Sequence, residues 1–365
     1  MATETKQNPY ACTSMTSQYP WGTRLNLNIS LSLIGRNGPA HVFCPDGIFF
    51  VGRYIEVNLI DLIFYSTPMS FYYGSATIQR SVFTNITEAG IENFSPDASD
   101  GILKFHSIVN LTISNSVFKG NAKIWVIGAH LVTLTNSRLH SNAGMAATIF
   151  PSTQATIIVD NCAFINNWGG LKVSEIKRAS LYLTNTLFSQ NSHRSSLVLE
   201  FDSSSVGVIK NITVEKSIVP NSKQRKDSVV YIALFTGGYN YVQIINSTFK
   251  HNTNIESGVG AIIVDNGADF MLSKGCKDDM FNTSIDAYSL YRYTNQIVFR
   301  NSVLNKTVGS TREQCCYLTA WAIFRNCTFV DNFALFSSES FKHRRRLWRC
   351  GNLQLHLSTN EKRSK

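Results

Sequence analysis

Apolar and polar residues alternate along most of the chain, in short segments that share one pattern. Clear copies run over 111–121, 157–167 and 181–191. If the first Asn of each copy is called the anchor, apolar residues stand four and two places before it. A Phe or Leu stands three places after the anchor, and a second Asn often stands six places after it. Alternation with a period of two is typical of a strand with one buried face. Each copy therefore predicts a strand, a turn at the anchor and a second short strand.

The residues at equivalent positions form two predicted sets. The inward apolar set comprises Leu111, Ile113, Val132, Leu134, Ile157, Val159, Leu181, Leu183, Val242, Ile244, Ile297 and Phe299. The structural ladder comprises Asn115, Asn136, Asn161, Asn185, Asn246, Asn301 and Asn326 with Phe118, Phe164, Phe188, Phe249 and Phe329. Asn211 is a further anchor. Stacked copies place equivalent asparagines above one another, so we expect their amides to bond from coil to coil in an inward ladder.

The spacing of the anchors predicts the fold. Successive anchors are separated by 21, 25, 24, 26, 35, 55 and 25 residues. A period in the low twenties with short strands indicates an all-β solenoid, a parallel β-helix of roughly a dozen coils. Leucine-rich repeats have similar periods, but their L-x-x-L-x-L pattern is missing. A sandwich of antiparallel strands would not be expected to repeat one Asn–Phe–Asn pattern so often.

The regularity of the pattern divides the chain into three parts. Residues 1–45 are predicted to be an irregular N-terminal cap with a first strand, residues 46–335 the parallel β-helix, and residues 336–365 a basic tail that is disordered or truncated. The pattern stops after Asn332, which favours a fragment of a longer protein. Three insertions are predicted to form loops on one side of the rod, where specific function is most expected. They are Thr87–Asp100, Pro220–Ser228 and Lys274–Asn295.

The net charge of +10 belongs mainly to the tail. Residues 341–365 carry eight Lys and Arg side chains against Glu361, a net +7, so residues 1–340 keep only +3. The β-helix is therefore nearly neutral, and this argues against a specific nucleic-acid partner. Charged residues make up only 16% of the chain, and Asn, Ser and Thr are abundant, which suits an extracellular β-solenoid.

The eight cysteines lack the C-x-x-C spacing of zinc sites. Cys162 and Cys327 occupy the slot after the anchor, where other copies have Ser or Thr. We expect them to be small buried residues in a stack. The candidate disulfides are Cys12 with Cys44, and Cys276 with Cys315 or Cys316.

The tetrapeptide F-x-x-N recurs in register, for example over 118–121, 164–167, 188–191 and 249–252, and Gly258–Ile262 is similar to a G-G-A-I unit. Over roughly residues 25–335 the chain therefore resembles polymorphic outer membrane proteins, within the pectin-lyase-like group. The resemblance implies a right-handed parallel β-helix exposed for adhesion. That family also implies a signal peptide and a C-terminal membrane barrel, and neither is visible in this sequence. Similar repeats also resemble large surface proteins of eukaryotes.

The pectin-lyase-like resemblance raises a polysaccharide lyase, hydrolase or epimerase as an alternative. Such enzymes need carboxylates gathered on one face. Asp160 has no acidic counterpart in adjacent copies, and the doublet Asp278-Asp279 lies near lysines in a predicted loop. The histidines show no metal spacing; His140 and His251 are expected on one side of the rod, several coils apart. We therefore predict no catalytic residue, no cofactor and no metal ligand.

Nine N-x-S/T sequons occur in the chain. Asn93 and Asn282 lie in predicted loops and are the best candidates for glycosylation if the chain is secreted. Asn246 and Asn326 are also sequon residues, but as members of the inward ladder they are predicted to exclude a glycan.

Together these features predict a non-enzymatic extracellular or cell-surface β-helix protein. Its loops would present a surface for adhesion or for binding carbohydrate or a cell-surface partner. No apolar run approaches the length of a membrane span, so no transmembrane segment is predicted.

Overall fold

A computed structural model describes residues 25–44, 47–86, 103–220, 228–235, 239–254 and 296–305. It also describes short strands at 10–11, 262–266, 308–309, 316–318, 321–325, 328–330 and 333–334. Within these residues the chain forms strands joined by turns, and neighbouring strands pair in parallel. The strands stack into three long sheets, which we number in the order in which each coil visits them.

Sheet 1 opens each coil. Its strands are β2 (Leu25–Leu27), β5 (Ile48–Val51), β8 (Met69–Tyr72), β11 (Leu103–His106), the first parts of β14 (Ile124–Thr135) and β16 (Met145–Asp160), β18 (Gly169–Lys177), β21 (Leu197–Asp202), β25 (Val230–Leu234), β29 (Ile262–Asn266) and β33 (Cys316–Leu318).

Sheet 2 follows in each coil. It contains β3 (Leu31–Ile34), β6 (Glu56–Ile60), β9 (Ser75–Gln79), β12 (Asn110–Ser114), the second parts of β14 and β16, β19 (Ser180–Thr184), β22 (Val206–Lys210), β26 (Tyr241–Ile245), β30 (Gln296–Arg300) and β34 (Trp321–Arg325).

Sheet 3 completes each coil. It contains β1 (Tyr10–Ala11), β4 (Ala40–Phe43), β7 (Leu62–Tyr65), β10 (Val82–Thr84), β13 (Val117–Lys119), β15 (Arg138–His140), β17 (Ala163–Ile165), β20 (Leu187–Ser189), β23 (Thr213–Glu215), β27 (Thr248–Lys250), β31 (Val303–Asn305) and β35 (Thr328–Val330). A short fourth stack contains β24 (Ile218–Val219), β28 (Thr253–Asn254), β32 (Val308–Gly309) and β36 (Phe333–Ala334).

In the described part of the chain, eleven coils each contribute a strand to all three sheets, and β1 belongs to a preceding coil. The predicted all-β parallel β-helix of roughly a dozen coils is therefore confirmed. We number these coils from 1, which contains β2 to β4, to 11, which contains β33 to β36. Coil 1 lies wholly within residues 25–43, in the segment predicted as an N-terminal cap. The predicted tail, residues 336–365, lies outside the described residues.

The interior is a set of stacked apolar side chains. All members of the predicted inward set are buried, as the alternation requires. Phe64, Phe83 and Phe118 of sheet 3 stack with ring centroids 4.8 and 4.9 Å apart. Parallel strands spaced by about 4.8 Å bring equivalent rings to this separation wherever adjacent coils both carry Phe at this position, and Leu139 and Val214 continue the apolar column where they do not.

Each turn from sheet 2 to sheet 3 uses a left-handed residue in place of glycine. Asn115, Asn136, Asn161, Asn185 and Asn301 have φ angles of 49–51°. Asn tolerates this conformation because its short polar side chain bonds locally. The slot after the anchor faces inward and is buried, and Cys162 in that slot is 3% exposed, as predicted.

The three predicted insertions lie almost wholly outside the described residues, so their placement on one side of the rod stays a prediction, and only their places in the chain order are described. Thr87–Asp100 joins sheet 3 to sheet 1, and Pro220–Ser228 also enters sheet 1. Lys274–Asn295 lies between a strand of sheet 1 and a strand of sheet 2. Each insertion falls where the chain passes from one sheet to another, and in each case one of the two sheets is sheet 1.

Candidate functional site

The outer faces of the sheets differ in chemistry. The outer face of sheet 2 is rich in hydroxyl groups in coils 3 to 5, where Thr77, Thr112 and Thr133 lie side by side. The outer face of sheet 1 instead carries rings. We call Phe49, Tyr72, His106, Trp125 and Phe150 the aromatic face. All five are partly exposed.

Strand register arranges the aromatic face in two rows that run along the rod. The first row contains Phe49, Ser70, Lys104, Trp125, Thr148 and Lys172. The second contains Val51, Tyr72, His106, Ile127 and Phe150. The rows cross coils 2 to 7, a distance of about 24 Å at the usual strand spacing. A linear polymer lying along the rod would meet rings in five successive coils.

Neighbouring rings of the aromatic face contact one another. The Tyr72 and His106 rings stack with centroids 5.1 Å apart and planes at 9°. Phe49 stacks on Tyr72 at 6.5 Å, and Trp125 meets Phe150 at 5.7 Å and 44°. These contacts hold the rings in place, so a ligand would meet a surface that is already ordered.

Positive groups flank the rings. Lys172 Nζ lies 5.7 Å from the centre of the Phe150 ring, within the range of a cation–π contact. Lys104 lies beside Trp125 in the first row. Among the described residues, neither row carries a carboxylate between coils 2 and 7. Burial lowers the pKa of the His106 imidazole and the charge of Lys104 lowers it further, so His106 is a neutral ring at pH 7.

The open part of sheet 1 ends beyond coil 7. In coils 8 and 9 the outward residues Val198, Tyr231 and Ala233 are buried and form a second hydrophobic cluster with Phe235. Glu200, also outward, is 7% exposed. Among the residues whose side chains are described, the partly exposed rings of sheet 1 therefore lie in coils 2 to 6.

One pair of carboxylates from different coils comes together beside this face. Lys177 Nζ lies 3.4 Å from Glu175 Oε2 and 3.7 Å from Asp202 Oδ2. The two carboxylates therefore lie within about 7 Å of each other, a spacing that paired-acid chemistry uses. However, the Glu175 side chain is 64% exposed and both acids contact the same ammonium group. The pair is open to water rather than enclosed.

The anchor asparagines face outward, so the prediction of an inward anchor ladder is wrong. Asn115, Asn136, Asn161, Asn185, Asn246 and Asn301 are all exposed. The left-handed residue interrupts the in–out alternation: its own side chain stays outside and the next residue turns in. The amides still bond between coils, since Asn161 Nδ2 donates to Asn136 Oδ1 at 2.7 Å and Asn301 Nδ2 to Asn246 Oδ1 at 3.3 Å.

A ladder of buried amides is formed by the second Asn of four copies. Asn142, Asn167, Asn191 and Asn252 are at most 1% exposed. Each donates through Nδ2 to a backbone oxygen of the preceding coil. This ladder was visible in the sequence as the asparagine six places after the anchor, but the turn geometry that directs it inward was not.

The other predicted site residues divide between described and undescribed parts of the chain. Phe118, Phe164, Phe188 and Phe249 are buried. Phe329 pairs in register with Leu304, and nothing further is described of its side chain. Asn93, Asn282, Asn326, Asp278 and Asp279 lie outside the described residues.

Asp160 and the histidines occupy structural positions. Asp160 accepts hydrogen bonds from Thr184 Oγ1 and, at 2.8 Å, from Asn185 Nδ2, and so it joins the outer ladder. His140 and His251 both lie on the sheet 3 side of the rod, four coils apart. His193 stacks on Trp168 at 5.1 Å. In the part of the chain that the structure covers, no three His, Cys, Asp or Glu side chains meet in a way that would hold a metal ion.

Comparisons with known proteins identify no family. No protein-family model matches the chain, and no curated protein matches it. A search of the described residues for a long apolar helix able to cross a membrane finds none.

Proposed function

We propose that this protein is a non-enzymatic, extracellular or cell-surface β-helix that binds carbohydrate along the aromatic face. The observation that carries the proposal is the pair of rows with exposed rings in five successive coils. Aromatic rings pack against the apolar faces of sugar rings, while nearby hydroxyl and ammonium groups bond sugar hydroxyls. Lys104 and Lys172, both partly exposed, supply ammonium groups beside the rings.

Two features support exposure outside the cell. Cys44 is disulfide-bonded, and structural disulfides persist in oxidising compartments. Its predicted partner, Cys12, lies outside the described residues. The outer face of sheet 2 is neutral and rich in hydroxyls in coils 3 to 5, as suits a rod in solvent. The F-x-x-N repeats, similar to those of polymorphic outer membrane proteins, favour an adhesive role for this rod.

Binding to insoluble and immobilised polysaccharides tests the proposal. The chain is incubated with a panel of neutral and acidic glycans, and the retained fraction is measured for wild type, Trp125→Ala and Phe150→Ala. Losing one stacked ring is expected to weaken binding by about tenfold, equivalent to about 1.4 kcal/mol. Tyr182→Ala removes an exposed ring from sheet 2 and serves as the control. No retention on any glycan, or equal losses in all three variants, would contradict the proposal.

A second candidate function is a polysaccharide-active enzyme, and the Glu175–Asp202 pair is the observation that favours it. The pair lies in coils 7 and 8, at the end of the aromatic face. The enzyme function is tested by measuring the release of reducing or unsaturated ends from any glycan that the protein binds. Activity that Glu175→Gln and Asp202→Asn both abolish, with binding unchanged, would establish the enzyme. We expect no release, because the site is open to water and a lysine occupies the space between the acids.

A further inference from the structure

Two cationic side chains and a histidine gather on the outer face of sheet 3, away from the aromatic face. Lys119 of β13 and His140 of β15 are direct cross-strand neighbours. Arg138 lies on the same strand as His140, two positions before it, and therefore on the same face. Lys119 and Arg138 are exposed, and His140 is partly buried. We call these three residues the basic cluster.

Several cations elsewhere on the rod have acidic partners. Arg80 pairs with Asp61 of the preceding coil at 2.7 Å, Lys250 pairs with Glu215 at 3.0 Å, and Lys177 contacts two acids. Among the described residues no acid pairs with Lys119, Arg138 or His140. When His140 is protonated, it lies directly opposite the like charge of Lys119, an arrangement that is destabilising in a sheet and that a bound anion would relieve.

Within the described residues, the strands that pair with β15 bring no acidic side chain to His140. The outward positions of the two strands that pair with β15 are Val117 and Lys119 on one side and Ala163 and Ile165 on the other. His140 Nδ1 lies 3.3 Å from Ser141 Oγ. Burial lowers the pKa of His140, and the charges of Arg138 and then Lys119 lower it further, which shows that both cations act on the ring.

We propose that Lys119, Arg138 and His140 form a binding site for an oxyanion, a sulfate or phosphate group. The guanidinium of Arg138 offers a planar fork that matches two oxygens, and Lys119 adds a point charge. The protonated imidazole supplies a third donor. The oxyanion is either a free inorganic ion or an ester group carried by a larger ligand.

The affinity of this site for an oxyanion is expected to be higher at acidic pH. A bound oxyanion offsets the repulsion from Arg138 and Lys119 and so raises the pKa of His140. Because the free ring titrates below its ordinary value, affinity should rise as the pH falls through the interval between the bound and free pKa values. Since the cluster lies on sheet 3 and the rings on sheet 1, this site does not depend on carbohydrate binding by the aromatic face.

The experiment titrates the full chain, labelled at histidine, with sodium sulfate, inorganic phosphate, dextran sulfate and neutral dextran at constant ionic strength. NMR follows the His140 ring, assigned with His140→Gln, and calorimetry gives the dissociation constants. Arg138→Gln is expected to weaken binding by about tenfold, corresponding to the loss of one charge-assisted hydrogen bond. Lys210→Gln removes one exposed cation from sheet 2 and is the matched control, with less than a twofold effect expected.

The outcomes separate the sources of the anion. Binding of sodium sulfate, inorganic phosphate and dextran sulfate, weakened in Arg138→Gln but not in Lys210→Gln, supports a site for the group itself. Binding of dextran sulfate alone, with the same dependence on Arg138, supports an ester carried on a polymer. No shift of the His140 ring with any anion, or equal losses in Arg138→Gln and Lys210→Gln, would overturn the proposal. Binding of neutral glycans tests the aromatic face and neither supports nor contradicts the oxyanion site.

Discussion

Asn142 donates two hydrogen bonds to Asn167 Oδ1 in the next coil, one from its backbone N–H at 3.1 Å and one from Nδ2 at 3.0 Å. Asn167 repeats the arrangement with Asn191, at 3.1 and 3.2 Å. The column of buried amides therefore satisfies backbone donors at a corner where the regular ladder is interrupted. It ties each coil to the next from inside the rod.

Asn167→Ala is expected to destabilise the rod by about 3 kcal/mol. The change removes the acceptor of two hydrogen bonds from Asn142, which leaves its buried backbone N–H without a partner and its Nδ2 with only the bond to Phe118 O. The urea midpoint, followed by circular dichroism, measures the loss. Asn110→Ala is the control, since Asn110 is exposed on the outer face of sheet 2. Equal midpoints for the two variants would show that the inner ladder does not stabilise the fold.

The left-handed turn at Asn161 predicts an order of stability among substitutions. With φ at 49°, Asn161→Ala introduces a side chain that disfavours this backbone conformation, at a cost of about 1 kcal/mol beyond the lost bond to Asn136. Asn161→Gly loses the same bond without that strain. The thermal midpoint should therefore fall further for Ala than for Gly, and the reverse order would refute the role assigned to the turn.

The phenylalanine column predicts a large cost for a single deletion. Phe83 lies between Phe64 and Phe118 and is fully buried. Phe83→Ala should cost about 3–5 kcal/mol, and Phe83→Leu clearly less, because the cavity is smaller. Tyr65→Ala, at a half-exposed position on the same sheet, controls for loss of an aromatic ring. Chemical denaturation of the three variants gives the comparison.

Cys162 is predicted to be inert in the folded protein. Burial raises the pKa of its thiol to about 12, so the reactive thiolate is scarce at pH 8.5. Iodoacetamide should leave the peptide containing Cys162 unmodified in the native state and label it in urea, as mass spectrometry can show. The Cys162 thiol has a pKa of about 12 in the folded state and near 9 in the unfolded state. Its contribution to the free energy of unfolding is therefore full below about pH 9 and is lost as the pH rises from about 9 to 12. Rapid native labelling at pH 8.5 would contradict the burial.

The coil and its core follow from local periodicity in the sequence. The alternation within each strand identifies its inward residues, such as Ile157 and Val159. The regular spacing of the copies then predicts that the strands stack. The orientation of the anchor asparagines was not predictable in this way. It depends on the sign of φ at one turn residue, and that sign determines which of two neighbouring side chains enters the core.

The aromatic face was missed because it is a property of register between coils. Tyr72 and His106 are separated in sequence by an insertion, yet their rings stack at 5.1 Å. The strands of sheet 1 also lack the anchor asparagine that marks the other part of each copy, so their outward residues were not aligned. Aligning the outward residues of the strand before each anchor segment would have revealed the rows.

The central claim is tested most directly by hydroxyl-radical footprinting of the protein bound to the polysaccharide for which it has the highest affinity. The oxidation of individual side chains is compared with and without saturating glycan. Carbohydrate binding by the aromatic face predicts protection of Tyr72, Trp125 and Phe150, with Tyr182 on sheet 2 unchanged. Unchanged oxidation of those three rings, with protection elsewhere on the rod or none at all, would contradict it.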